Sequence, residues 1–261
     1  MSTVETGTYV VLLGAVLSAC GFLVISRLVP DRWLVADSEA ASALYGAIGM
    51  AYAILIAIAA IAVWEVRAGA DDASERESSA LIEAHRAANG LATSDRTEIQ
   101  ELIARYTHAV VDDEWPALRD TMTEDPGAAA TFETLRERVD QLDRTDGEHG
   151  AAAEWVSRHT SDVSEARFLR LGTADEPLPE PLWPTLAVGG IVSVAFLYLF
   201  GLERTFPNGL MMATVGGMIA LVLFIIYEMQ YPFSRGLALE PDAFRAALEY
   251  LSHGRDRATG P

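Results

Sequence analysis

The residues best suited to chemistry are scattered along the chain. The five histidines occur singly, with no pair at the three- or four-residue spacing that zinc sites use. They are His85, His108, His149, His159 and His253. The sequence contains no phosphate-binding glycine loop, no dinucleotide fingerprint and no nucleophile elbow. It therefore predicts a protein that is not an enzyme and that has no metal centre and no cofactor.

One acidic triplet, Asp112-Asp113-Glu114, stands near the predicted end of a helix. Carboxylates are the oxygen ligands that calcium prefers. We interpret the triplet as solvated surface, and a calcium site is the alternative.

The second apolar segment carries two stripes of residues at helical spacing. Gly49, Ala53 and Ala57 recur every four residues, and small residues on one face let a second helix approach closely. The neighbouring stripe consists of Ile54, Ile58, Ile61 and Glu65. In a ring of identical subunits, these four positions would form a dry constriction closed by a ring of carboxylates, as in gated channels. The alternative is a helix contact within one subunit, with the remaining face toward lipid.

Glycine pairs occur in each of the last two apolar segments, at Gly189-Gly190 and Gly216-Gly217. Because glycine has no side chain, such pairs favour close packing of membrane helices. Glu228 ends the last segment. We interpret it as a solvated helix end, and a carboxylate facing a water-filled vestibule is the alternative.

Apolar and charged residues are segregated along the 261 residues, which are 51% hydrophobic yet carry a net charge of -18. Four uncharged windows are each long enough to cross a hydrocarbon core of about 30 Å as a helix. They are Thr6–Ser26, Ala40–Trp64, Leu182–Leu202 and Thr205–Tyr227. The predicted domains are residues 1–64 with spans one and two, 65–181 as a soluble domain, 182–231 with spans three and four, and 232–261 as a tail with a short amphipathic helix.

The stretch from Glu65 to Pro181 holds 27 acidic residues against 12 arginines, a net charge of -15. This acidity argues against a nucleic acid partner, since phosphates would be repelled. Apolar residues repeat here at three and four positions, Ser94 is a predicted helix cap, and Asp125-Pro126 is typical of a helix start. The predicted fold is an all-α integral membrane protein with four transmembrane helices and a helical-bundle soluble domain between the second and third.

Four spans would return the chain to its starting side, so both termini and the acidic domain should share that side. Six arginines fall near the membrane there: Arg67, Arg76, Arg167, Arg170, Arg235 and Arg245. Three fall in the opposite loops: Arg27, Arg32 and Arg204. The excess favours a cytoplasmic domain in a bacterial plasma membrane.

Several separate motifs occur in order along the chain. They are Tyr45 to Ala53 (YGAIGMAYA), Val63-Trp64-Glu65, Asp112 to Pro116 (DDEWP), Phe200-Gly201 and Tyr231 to Ser234 (YPFS). Over nearly its whole length the chain resembles the bestrophin-like domain family of bacterial membrane proteins, remote relatives of the bestrophin channels. The resemblance implies a pentameric anion channel with four spans, cytoplasmic termini and a pore lined by the second span.

Two features depart from bestrophins. The second span has no aromatic residue at the expected neck, since its aromatics are Tyr45, Tyr52 and Trp64, and no acidic run follows span four to form a calcium clasp. The sequence thus predicts an oligomeric channel for small inorganic ions, with anions favoured by the resemblance and cations by Glu65. The alternative is a membrane-anchored scaffold or sensor whose helical domain binds a protein partner.

Overall fold

A computed structural model describes residues 3–30, 38–174, 178–199, 203 and 205–258. These residues form helices and turns, with no strand among them. The α-helices in chain order are α1 (Thr3–Leu28), α2 (Ser38–Ala87), α3 (Thr93–Ala109), α4 (Trp115–Thr121), α5 (Pro126–Asp140), α6 (Gly150–Gly172), α7 (Leu182–Tyr198), α8 (Phe206–Met229) and α9 (Asp242–Ala258). The chain divides into two compact units, and α2 contributes one part to each.

Unit 1 comprises Met1–Glu65 and Pro177–Gln230. Of its described helices, α1, α2 and α8 are long and apolar enough to cross a membrane. Helix α7 is apolar but has 17 residues, a length of about 25 Å at 1.5 Å per residue. The predicted third window extends beyond it to Leu202, and residues 200–202 lie outside the described residues. The count of four spans therefore stays a prediction.

Close backbone approach between α1 and α8 explains the small residues on both helices. A Cβ on Gly216 would clash with the Ser18 side chain, and one on Gly217 would lie 3.4 Å from Ala15 Cβ. The Ser18 hydroxyl donates to the Met212 carbonyl at 2.6 Å. Because a hydroxyl within lipid needs a partner, this bond fixes the register of the two helices.

Unit 2 comprises Val66–Glu176 and Tyr231–Pro261. Its core joins apolar residues of α2, α3, α5 and α6 with residues 231–261, which we call the last segment. Examples are Leu81, Ile103, Leu135, Val163 and Phe244. The sequence treated residues 232–261 as a separate tail. The structure instead places Phe233, Phe244 and Leu251 inside this core.

The predicted start of α5 is confirmed. The Asp125 carboxylate accepts a hydrogen bond from Ala128 N at 2.8 Å, and Pro126 occupies the first turn. The Ser94 cap is wrong, because α3 begins at Thr93 and its N-cap position, Ala92, has no side-chain hydrogen bond.

A π-helical turn, Val110–Glu114, joins α3 to α4. The sequence predicted that the helix would end near Trp115-Pro116, but helical structure continues through the turn to Thr121. Proline lacks an N–H and its ring would clash with the carbonyl four residues earlier, at Asp112. A wider turn immediately before Pro116 avoids that clash and keeps the helix running.

Candidate pore face and buried charge cluster

The predicted pore-lining residues form one exposed strip on α2, which we call the pore face. Ile54, Ile58 and Ile61 are 56%, 57% and 57% exposed, and Glu65 is also exposed. More than half of the accessible surface of each isoleucine is therefore left uncovered within the subunit. Among the described residues, Glu65 forms neither a hydrogen bond nor an ion pair.

The small residues beside the pore face are also unpartnered. A Cβ added at Gly49 would meet no atom within 4 Å, and Ala53 and Ala57 are exposed. The glycines of α7 and α8 that the sequence singled out behave differently. A Cβ at Gly189 would lie 2.7 Å from the Tyr52 ring, and one at Gly190 would lie 3.1 Å from Ile219.

The opposite side of α2 anchors the helix within unit 1. Ala59 and Val63 are buried in a cluster with Leu186 of α7 and Ile226 of α8. The Tyr52 hydroxyl donates to the Leu186 carbonyl at 3.0 Å, so the glycines of α7 leave room for this ring. Helix α2 is thus held by one side while its pore face stays uncovered.

Glu228 lies in the last turn of α8 and is 8% exposed. This burial differs from the solvated helix end favoured by the sequence, and the vestibule role stays a prediction. Nearby, Trp183 Nε1 donates to Gln230 Oε1 at 2.8 Å.

Unit 2 contains a buried charge cluster that the sequence did not predict. Its members are Glu77 of α2, Tyr106 of α3, Glu114 of the π turn, and Arg167 and Arg170 of α6. Arg170 and Glu77 are fully buried and form two hydrogen bonds, Nε to Oε2 at 2.7 Å and Nη2 to Oε1 at 3.2 Å. Such bidentate pairing offsets much of the cost of removing both charges from water.

Arg167 continues the cluster toward the surface. Its Nη1 donates to Glu114 Oε2 at 2.6 Å and to the Tyr106 hydroxyl at 2.7 Å, and its Nη2 donates to the half-exposed Glu124 at 2.6 Å. The Tyr106 hydroxyl in turn donates to Glu77. The interpretation of the acidic triplet is therefore wrong for Glu114, which is buried, whereas Asp112 and Asp113 are exposed.

Electrostatics inside the cluster favour charged arginines and a neutral tyrosine. Burial alone would lower the pKa of Arg170, but Glu77 and Glu114 outweigh it and hold that pKa above its ordinary value. Burial raises the pKa of Tyr106 well above its usual value, and the charge of Glu77 adds to the shift. Arg170 therefore keeps its charge and Tyr106 stays neutral near neutral pH.

Aromatic rings complete the surroundings of Arg170. Its guanidinium lies 5.6 Å from the ring centroid of Trp115 and 5.4 Å from that of Phe244, distances at which a cation is attracted to a ring face. Within the described residues, Arg170 Nη1 is the buried side-chain polar atom without a hydrogen-bond partner. The Trp115 Nε1 donates to the Leu239 carbonyl at 3.0 Å, which ties the cluster to the last segment.

Burial of Arg167 and Arg170 also corrects the arginine count used for orientation. Both arginines were assigned to the membrane-proximal surface, yet they are 5% and 0% exposed. The side of the membrane that unit 2 occupies stays a prediction. Among the described residues, no group of three or more His, Cys, Asp or Glu side chains is placed to hold a metal ion.

Comparison with known proteins identifies relatives of this architecture. The model of one protein family, the Bestrophin-like domain, matches residues 12–244. A crystal structure described as a membrane protein has a TM-score of 0.71 and 13% identity, covering 93% of this chain and 97% of that one. A bacterial bestrophin homologue from Klebsiella pneumoniae, solved with a point mutation, has a TM-score of 0.70 and 13% identity over 97% and 98% of the two chains. A bacterial bestrophin homologue from Klebsiella pneumoniae with another point mutation has a TM-score of 0.68 and 12% identity, covering 98% of this chain and 100% of that one. No curated protein sequence matched significantly.

Proposed function

This chain belongs to the Bestrophin-like domain family, as its motifs predicted, and on that premise we propose that it forms a homo-oligomeric channel for small inorganic ions. In this proposal unit 1 spans a bacterial plasma membrane four times, and unit 2 lies in the cytoplasm with both termini. The pore is lined by α2, and a ring of five subunits is the stoichiometry that the family resemblance favours.

The exposed pore face carries the proposal. Three isoleucines and one carboxylate lie on a single strip of α2 and are exposed in the subunit, although the other side of the same helix is buried against α7 and α8. Lipid would tolerate the isoleucines, whereas the Glu65 carboxylate at the end of the strip needs water around it. A position around a central axis shared by the subunits accommodates the isoleucines and Glu65. The isoleucines of all subunits would together form a dry constriction, and Glu65 would lie in water at the end of that constriction.

Selectivity would then depend on Glu65 and on the charge around it. The acidic stretch that begins with it has a net charge of -15, which attracts cations, whereas the family resemblance favours anions. Since selectivity resides in a few side chains at the pore, we retain a slight preference for anions and identify Glu65 as the residue that decides.

Planar bilayer recording of the purified chain tests the proposal. The wild type should pass current, and Ile58→Ala should raise the conductance because it widens the constriction. Leu12→Ala removes a side chain of equal exposure, 56%, from α1 and should leave the current unchanged. If the wild type passes no current while a bestrophin recorded in parallel does, the channel proposal is rejected.

A second candidate function is a scaffold that binds a protein partner through unit 2. Its support is the exposure of three large apolar side chains along α6: Trp155, Phe168 and Leu169 are 52%, 76% and 42% exposed. Trp155 is held in place, since it stacks on His159 with ring centroids 5.9 Å apart and Arg158 lies 5.1 Å from its ring centroid. Exposed, ordered tryptophan and arginine side chains are typical of protein interfaces. This candidate predicts that Trp155→Ala abolishes partner binding while leaving any current intact.

A further inference from the structure

A long apolar groove lies in unit 1 between α1, α7 and α8. Its volume is about 490 Å³. The walls are mainly aliphatic and include Leu17, Ile25, Ile191, Val194 and Leu223. Leu17 and Ile191 are 62% and 68% exposed, so the groove opens to the surroundings of unit 1.

The polar side chains in its wall have their hydrogen bonds already. Only Ser18 and Tyr198 contribute polar side chains to the lining. The Ser18 hydroxyl donates to the Met212 carbonyl at 2.6 Å, and the Tyr198 hydroxyl donates to the Ser18 carbonyl at 2.8 Å. A ligand of this groove gains nothing from a polar head inside it, so the chemistry of the walls selects hydrocarbon.

The groove has the length of one membrane leaflet. Its lining runs along α1 from Gly14 to Ile25 and along α7 from Ala187 to Tyr198. Eleven residues of helix rise about 16 Å, close to half of the hydrocarbon thickness of about 30 Å. The groove follows the helix axes, which is also the direction of lipid chains around a spanning helix.

The narrow cross-section matches a hydrocarbon chain better than a whole helix. A volume of about 490 Å³ spread over about 16 Å leaves a cross-section of about 30 Å². A helix with its side chains is about 10 Å in diameter and needs more than twice that area. A single extended hydrocarbon chain fits.

We propose that this groove binds one acyl chain of a membrane phospholipid, in the leaflet toward the carboxyl ends of α1 and α7. The site requires unit 1 to lie in the membrane but is independent of conduction. The lipid would fill the space between three helices and so belong to the packing of unit 1.

Native mass spectrometry of the detergent-purified full chain tests this site. The wild type should retain one phospholipid per chain. Leu17→Trp places an indole in the groove and should lower the fraction of lipid-bound chains by about tenfold or more, since each lost methylene contact reduces affinity about fourfold. Leu13→Trp is the matched control, because Leu13 is 59% exposed on α1 and does not line the groove. Circular dichroism checks that each variant is folded, and Ala195→Leu narrows the same groove if Leu17→Trp does not fold.

Three results would overturn the proposal. They are a wild type that carries no phospholipid or only a free fatty acid, a Leu17→Trp protein that retains phospholipid as the wild type does, and covalent dimers from Ile191→Cys in a Cys20→Ser background, which would place a second copy over the groove. None of these readouts uses current, so a failure of the channel proposal is seen separately in the bilayer recordings.

Discussion

Arg170 and Glu77 lie 93 residues apart in the chain, yet they share two hydrogen bonds in the core of unit 2, one of 2.7 Å and one of 3.2 Å. Both side chains are fully buried. The pair joins α2 to α6, and Arg170 also approaches Glu114 at 3.4 Å. The core of unit 2 therefore contains a network of opposite charges in which each arginine contacts two carboxylates.

Removal of one partner should destabilise unit 2 strongly. Glu77→Ala leaves the Arg170 guanidinium buried beside Glu114 alone, and a broken buried pair costs about 3–5 kcal/mol. The measurement is chemical denaturation of the full chain in detergent micelles, followed by tryptophan fluorescence. Glu83→Ala removes an exposed partner of Arg86 and should cost less than about 1 kcal/mol. If Glu77→Ala and Glu83→Ala lower the free energy of unfolding equally, the buried ion pair contributes no more to stability than an exposed one.

Stability should fall at alkaline pH because of Tyr106. Its pKa is raised in the folded chain, so its stabilising contribution is complete below the unfolded value of about 10 and is lost as pH rises toward the folded value. Melting temperatures measured from pH 8 to pH 11 should decline above about pH 10 in the wild type. Tyr106→Phe should show a shallower decline, and Tyr250→Phe, at a half-exposed position on α9, should follow the wild type. A Tyr106→Phe curve that parallels the wild type contradicts this assignment.

The last segment should detach when Trp115 is lost. Trp115 meets Phe233 at 5.1 Å and Phe244 at 5.8 Å between ring centroids and donates to Leu239. Trp115→Ala removes all three contacts, and a buried tryptophan truncation costs about 3–5 kcal/mol. Limited trypsin digestion should then cleave after Arg235 and Arg245 faster than in the wild type.

Trp155→Ala is the control for that experiment. Trp155 is half-exposed on α6 and does not touch the last segment's aromatic residues. Its loss should leave the digestion rate unchanged. Comparable acceleration by both substitutions would mean that the cleavage reports general loosening instead of release of this segment.

Glycine substitutions should separate packing inside a subunit from packing between subunits. Gly216→Ala forces a Cβ against Ser18, and such overpacking costs about 1–3 kcal/mol. Gly49→Ala meets open space, so the subunit should fold as well as the wild type, aided by the better helix propensity of alanine. If Gly49 contacts a second copy, the oligomer should nevertheless dissociate more readily in native mass spectrometry. If the Gly49→Ala oligomer is as stable as the wild type, the face of α2 that carries Gly49 is not part of the subunit interface.

Glu65 should set the reversal potential. In a KCl gradient, Glu65→Gln should shift the reversal potential toward the chloride value, because a ring of carboxylates attracts cations. The shift should shrink at high salt as the screening length falls from about 10 Å at 0.1 M. An identical reversal potential for both proteins would place Glu65 outside the conduction path.

Much of the helical layout was predictable because periodicity and caps are local signals. Asp125-Pro126 identified the start of α5, and the absence of proline after Trp64 is consistent with the continuation of α2 to Ala87. The motifs identified the family because their residues and their order along the chain can be read directly from the sequence. Subunit number and selectivity were not predictable on the same basis, since they depend on contacts between chains.

The charge cluster was missed because its members are far apart in sequence. A signal for Glu114 did exist. It follows the buried Tyr106 and Val110 at four-residue spacing, but its place in an acidic triplet favoured an exposed interpretation. Glu77 similarly interrupts the buried side of α2, where Ala73, Leu81 and Ala84 are apolar. When a carboxylate lies on an otherwise apolar helical stripe, its position on the stripe predicts burial and a buried partner. The polarity of the residues next to it in sequence is a weaker guide.

The place of Phe244 beside Arg170 has a consequence for biosynthesis. A ribosome that has finished α6 at Gly172 must still add 86 residues, including α7 and α8, before α9 is complete at Ala258, which takes about 4–17 s at about 5–20 residues per second. During that interval the newly made Trp115 and Arg170 lack their aromatic neighbours from the end of the chain. Unit 2 therefore reaches its native core only after α9 has been translated, and a nascent chain stalled within α8 would expose an incomplete core to chaperones and proteases.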